Sequence, residues 1–165
     1  MEYRQLGRSG CRVSKLALGT MSFGNRTPEE DAHEILSEAV DSGVNHIDTS
    51  DVYGPSEDFI GNWLAETGRR DEIMLATKCV WKMGDGVNDW GASRYHLTRA
   101  VESSLERLQP DRSDLYYHHV TDASTPMDEI LSALDDLQQK GKILYVATSK
   151  WPPSWIAEMR LRAQF

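Results

Sequence analysis

Five short runs rich in apolar and β-branched residues alternate with amphipathic stretches along this chain. That rhythm constrains the fold more than any other feature. The runs are residues 15–19, 44–48, 73–78, 114–119 and 143–149. Their last residues lie 29, 30, 41 and 30 positions apart, the length of one strand–helix unit. The third interval is the long one, and its surplus falls in the glycine-containing segment 82–92, which reads as an enlarged loop. Strands separated by helices pair in parallel, because a parallel neighbour is reached only through a crossover.

The stretches between the runs carry helix signals. Thr27-Pro28-Glu29-Glu30 reads as an N-cap, a proline at the first helical position and a capping-box glutamate. Ala32, Ile35, Leu36, Ala39 and Val40 then follow a helical stripe, and Gly43 ends it. Phe59, Ile60, Trp63 and Leu64 make a second stripe closed by Gly68. Leu97, Val101, Ser104, Leu105 and Leu108 make a third, with Ser93 as its cap, and Met127, Ile130, Leu131, Leu134 and Leu137 a fourth, ended by Gly141. A fifth helix is expected from Pro152-Pro153-Ser154. Residues 3–13 read as a hairpin turning at Ser9-Gly10.

Two α/β architectures fit a parallel sheet of this kind. One is a five-stranded doubly wound open sheet, which suits a single domain spanning residues 1–165. The other is the first five units of a (β/α)8 TIM-type barrel, whose usual size is about 250 residues. Length favours the open sheet, whereas the residues at the strand ends favour the barrel.

Composition excludes several functions. With 18 basic against 26 acidic residues the net charge is −8, so neither a nucleic-acid footprint nor an anionic lipid surface is expected as a partner. No apolar run approaches the length of a membrane span. The opening MEYRQLGRSG lacks the apolar core of a secretory signal. Cys11 and Cys79 form no CxxC pair and are too few for a disulfide framework, which makes a cytoplasmic setting the expectation.

Polar residues mark the ends of the runs: Thr20, Asp48, Lys78, His119 and Ser149. Several barrel strands ending on chemistry-bearing residues is how that fold assembles an active site. An open sheet gathers its ligand contacts at one switch point, usually with a glycine-rich first turn, and GTMSFG contains no GxGxxG. Asp48 and Lys78 on neighbouring strands suit an ion pair, and Tyr53 lies five residues past Asp48 in the following loop. A nearby ammonium favours a phenolate, so Lys78 is expected to lower the Tyr53 pKa and ease proton exchange. An imidazole at the fourth strand end suits a carbonyl oxygen with developing charge. Adjacent strand residues point to opposite faces, so only one of His118 and His119 can face inward, and the residues alone do not choose. Each of these groups also has a structural reading, with Asp48 as a cap and Lys78 as a solvated strand end. His33, His46 and His96 lack metal-ligand spacing, and no metal is expected.

Taken together, the motifs resemble the aldo-keto reductase family. GTMSFG is similar to the family's first-strand turn, and IDTSDVYGPSED to its most diagnostic block. ATK ending at Lys78, VESSLERL before DLYYHHVTD, and GKILYVATSKW resemble its later motifs in order. The resemblance implies a barrel closed below by an N-terminal hairpin and the NADPH-dependent reduction of a small aldehyde or ketone. It implies Tyr53 as general acid, Lys78 lowering its pKa, Asp48 pairing with Lys78, and His119 orienting the carbonyl. It further implies Gly19, Thr20, Met21, Asp48, Ser149 and Lys150 beside the cofactor, and Trp81 beside the substrate with Tyr53 and His119. Lys150 stands where the family usually has Asn. The family's sixth to eighth strands have no counterpart here, so the chain reads as a fragment or a truncated relative, with self-association expected through exposed barrel edges. The alternative is a non-catalytic binding or regulatory module of the same fold.

Overall fold

Each helix forms where an apolar stripe can be buried. In the computed structural model, which describes residues 1–163, helix α1 (Glu29–Asp41) buries Ala32, Leu36 and Val40, three residues spaced four apart on one face. Helix α2 (Ser56–Thr67) buries Ile60, Trp63 and Leu64, and α3 (Arg94–Leu108) buries Leu97, Val101, Leu105 and Leu108. Helix α4 (Met127–Gln139) buries Ile130, Ala133, Leu134 and Leu137, and α5 (Pro153–Arg162) begins at the expected proline pair. Ser93 caps α3 by accepting the His96 backbone N–H at 3.2 Å. The cap expected at α1 differs. Pro28 occupies the N-cap position, and the Thr27 hydroxyl bonds Ser22 across the preceding turn instead.

The hairpin pairs β1 (Tyr3–Gln5) antiparallel with β2 (Arg12–Ser14). A separate parallel sheet holds β3 (Leu18–Gly19), β4 (His46–Asp48), β5 (Met74–Cys79), β6 (Ser113–His118) and β7 (Ile143–Thr148). The first run is shorter than expected, because residues 15–17 make no ladder. Spatial order follows chain order from β3 to β7. This topology overturns the doubly wound alternative. A doubly wound sheet reverses direction at a switch point and places helices on both faces. Here every crossover advances the same way, which is the winding of a barrel wall.

Alternation along the strands separates two faces. Ile47, Leu75, Cys79 and Tyr116 belong to the two large apolar clusters shared with α1 to α4. Met74, Ala76 and Leu115 form a smaller cluster with Val13 of the hairpin, and Tyr117, Tyr145 and Ala147 pack beside it. That second face is the barrel interior, with the hairpin at the N-terminal ends of the strands. On the helical face Glu57, fully buried, accepts the Thr77 hydroxyl and the Arg107 guanidinium (Nε to Oε2 2.8 Å), tying α2, β5 and α3 together. Gly61 is required there, since a Cβ at that position would meet the Arg107 carbonyl oxygen at 2.2 Å.

Candidate active site

The C-terminal ends of the strands build one mouth. Register pairs Gly19 with Asp48 and Asp48 with Ala76, so the residues following each strand lie side by side. The ladder continues past the strands through Thr20 N–H to Asp48 C=O, His119 N–H to Cys79 C=O and Ser149 N–H to His118 C=O. The buried Ser56 hydroxyl donates to Thr20 Oγ1 at 2.7 Å and lies 3.0 Å from Thr49 Oγ1, pinning the first turn to the start of α2. Thr20 itself is fully buried and bonds the Asp48 carbonyl, whereas Met21 next to it is 69% exposed at the mouth.

Lys78 points inward from β5. Its ammonium donates to Asp48 Oδ2 at 2.6 Å and to the Thr49 carbonyl at 2.6 Å. It also lies 4.8 Å from the Tyr53 ring centroid and 5.6 Å from that of Tyr117. Burial first, then the charges of Asp48 and Asp51, raise the Tyr53 pKa above its ordinary value. The expected lowering by Lys78 is therefore not seen in this arrangement. Asp48 and the Thr49 carbonyl hold the ammonium, and it faces the ring rather than standing free beside the hydroxyl.

Strand alternation resolves the two histidines. His119 faces the interior, edge-on to Tyr53 at 6.0 Å and to Trp81 at 6.1 Å between ring centroids. Its Nδ1 lies 3.3 Å from the Ser50 hydroxyl. Burial, then the charges of Lys78 and Lys150, lower its pKa to about 4, so the ring is neutral near pH 7. His118 points the other way, is fully buried, and accepts the Trp151 indole N–H on Nδ1 at 3.0 Å.

Met21, Val52, Tyr53, Trp81, His119 and Lys150 line a cleft of about 510 Å³ at this mouth. Lys150 has a left-handed backbone (φ 56°), a conformation that asparagine adopts more readily than lysine, and its ammonium lies 5.5 Å from the Trp81 ring centroid. The structure thus gathers Asp48, Tyr53, Lys78, Trp81 and His119, with Gly19, Met21, Ser149 and Lys150 around them. Sequence reasoning passed over three neighbours. Tyr117 shares the inward face by period-two spacing from His119, a signal the sequence does contain. Ser50 and Asp51 lie within the segment already singled out between Asp48 and Tyr53, but nothing in the sequence directs them toward His119. Among the described residues, no group of three His, Cys, Asp or Glu side chains is arranged to hold a metal.

A profile of the aldo/keto reductase family matches residues 15–165, and the chain belongs to that family. The uncharacterized oxidoreductase YrpG of Bacillus subtilis is 43% identical over 162 residues, covering 92% of this chain and 50% of that protein. Probable voltage-gated potassium channel β subunits of Arabidopsis thaliana and Oryza sativa subsp. japonica are 40% and 38% identical, each over 96% of this chain and 49% of the relative. The chain spans about half the length of the curated relatives it matches.

Proposed function

We propose that residues 1–165 form a single, incomplete barrel domain whose mouth reduces a small aldehyde or ketone to an alcohol with NADPH. The observation that carries this reading is the convergence of Lys78, Asp48, Tyr53 and His119 from separate strands and one loop onto a single cleft. The exposed faces of Met21 and Trp81 beside the Lys78–Asp48 pair suit a flat nicotinamide ring and a small carbonyl. NADPH, when bound, supplies the hydride. Gly19, Met21, Asp48, Ser149 and Lys150 would lie against it, while Thr20 holds the turn from beneath.

Tyr53 is the proton donor. Its raised pKa keeps the phenol protonated at neutral pH. An alkoxide is far more basic than a phenolate, so donation runs downhill once charge builds on the substrate oxygen. Asp48 and the Thr49 carbonyl hold the Lys78 ammonium 4.8 Å from the Tyr53 ring centroid, which fixes the ring at the mouth. Neutral His119 orients the carbonyl oxygen. General acid catalysis is worth about 10²–10⁴-fold. In the protein at its full natural length, Tyr53→Phe should therefore remove nearly all carbonyl reduction, followed as NADPH oxidation, while NADPH affinity changes little. More than about a tenth of the activity remaining would overturn the assignment.

The names of the two plant relatives support a second reading, a binding or regulatory module docked on a larger assembly. Under that reading Tyr53→Phe leaves the cellular role intact while any reductase activity disappears. A cytoplasmic setting is supported by two free cysteines, Cys11 half-buried and Cys79 buried. Among the described residues no helix is long and apolar enough to cross a membrane. As a 165-residue polypeptide the chain should self-associate, because among the described residues β3 and β7 each have a neighbour on one side only. A monomer in sedimentation at tens of micromolar would count against this.

A further inference from the structure

Ser50 sits behind the mouth, where it touches the histidine on one side and Asp51 on the other. The Ser50 oxygen lies 3.0 Å from Asp51 Oδ1 and 3.3 Å from His119 Nδ1, and all three residues are buried. A hydroxyl carries one proton, so Ser50 can donate to only one of these neighbours at a time. No hydrogen bond occupies His119 Nε2 among the described residues, and the His119 ring lines the cleft. We propose that Asp51, acting through Ser50, selects which ring nitrogen of His119 carries the proton, and so whether the cleft meets a hydrogen-bond donor or an acceptor.

The two states follow from proton counting. With Asp51 protonated, its O–H donates to Ser50, Ser50 donates to Nδ1, and the ring proton sits on Nε2. With Asp51 ionised, Ser50 donates to the carboxylate and the ring proton moves to Nδ1, where Ser50 accepts it. One proton leaves Asp51 for solvent. The imidazole stays neutral and relocates its own proton by exchange at the mouth. On the reductase reading above, an Nε2–H suits a carbonyl oxygen and a bare Nε2 suits an alcohol O–H. Asp51 is thus a positioning residue that biases carbonyl capture at lower pH and alcohol capture at higher pH.

The surroundings leave Asp51 free to titrate. Its Oδ2 is buried without a hydrogen-bond partner. It faces a second cavity of about 200 Å³, lined also by Asp89 of the 82–92 loop and by His96, Arg99 and Arg107 of α3. Glu57 of α2 acts on Asp51 as a like charge, and Arg107, whose opposing charge also reaches Asp51, is already held by Glu57. Tyr53 in the same loop, and Cys79 and Tyr116 on the helical face, feel its charge, but burial keeps all three protonated at neutral pH. Burial chiefly, with Glu57, raises the Asp51 pKa to about 7, against the bonds from Ser50 and the Val52 backbone N–H and the charge of Arg107.

Side-chain nitrogen NMR reads the tautomer directly, whether or not the protein turns over substrate. In ¹⁵N-labelled protein the His119 signals, assigned by their loss in His119→Gln, should change from the Nε2–H to the Nδ1–H pattern as pH rises through about 7. Asp51→Asn, whose amide donates to Ser50 as the acid does, should hold the Nε2–H pattern throughout the range in which the His119 ring is neutral. Ser50→Ala should leave a tautomer ratio that does not vary with pH. An unchanging His119 pattern in the wild type, or a change that survives Asp51→Asn and Ser50→Ala, would overturn the proposal. Loss of carbonyl reduction alone would not, since it would sink the reductase reading while the tautomer switch remained.

Discussion

The two faces of the sheet are built to different ends. The outer face meets four helices and contributes to two large apolar clusters, with Leu36, Ile60, Trp63, Leu97 and Ile130 almost wholly enclosed. The inner face has one small apolar cluster near the hairpin, and toward the strand ends it carries Lys78, Tyr117 and His119. The outer face buries mainly apolar side chains, and the polar ones among them, such as Glu57, Thr77 and His118, are held by partners within the fold. The inner face holds charges in place with hydrogen bonds and leaves a cleft. Stability and chemistry are thereby drawn from the same strands, one residue apart.

The sharpest test of that division is Trp63→Ala. It removes a fully enclosed indole and its bond to Ser37, and should cost about 3–5 kcal/mol in denaturant unfolding. A loss below about 1 kcal/mol would mean that the helical face does not carry the fold.

The adjacent histidines sharpen the comparison through pH. His118 has its pKa lowered to about 4 by burial, against an ordinary 6.5. The unfolded chain therefore binds its proton first, so the contribution of neutral His118 is present above about 6.5 and is lost as pH falls toward 4. The full difference is about 3 kcal/mol. Asp51 slopes the opposite way. Its pKa is raised from 3.8 to about 7, so its contribution is present below 3.8 and lost as pH rises toward 7. Across the pH window that the two groups share, His118→Gln should remove a rise of stability with pH and Asp51→Asn a fall, both followed by thermal unfolding across the range. Curves that coincide with the wild type would break the assignment.

Exchanging the two histidines one at a time separates the roles further. His118→Ala strands the Trp151 indole N–H and should cost about 1–3 kcal/mol of stability, with carbonyl reduction changed by no more than a few-fold. His119→Ala should lose at least about tenfold in carbonyl reduction. Equal losses of activity would mean that both rings serve the mouth. Met21→Ala should have the smallest effect on folding, within about 0.5 kcal/mol, because the side chain lies mostly in solvent. It should weaken NADPH binding all the same, as read by nicotinamide fluorescence.

Much of this molecule is legible in its sequence. The 29–30 residue spacing, the stripes of α1, α3 and α4 and the Ser93 cap depend on local periodicity, and local periodicity is written in the chain. Helix α2 starts at Ser56, three residues ahead of its stripe, because Ser56 and Glu57 are buried by polar partners that a hydrophobic pattern cannot reveal. Thr27 surrendered its expected cap to Ser22 through a turn that closes only when both segments are in place.

What the sequence determined by itself was the repeat of strand and helix, the polar residue at each strand end and the family those motifs define. Periodicity and motif spacing are properties of neighbours along the chain. What the tertiary structure decided depends on neighbours across it. The order of the strands turned an open sheet into a barrel wall, because winding direction is a property of the assembled sheet. The same assembly put His119 inside and His118 out. It locked the Lys78 ammonium onto Asp48, so that burial rather than that charge governs Tyr53, and it brought Ser50, with Asp51 bonded behind it, within reach of a ring 69 residues away. Side-chain direction, desolvation and long-range hydrogen bonds arise only when distant segments share one interior.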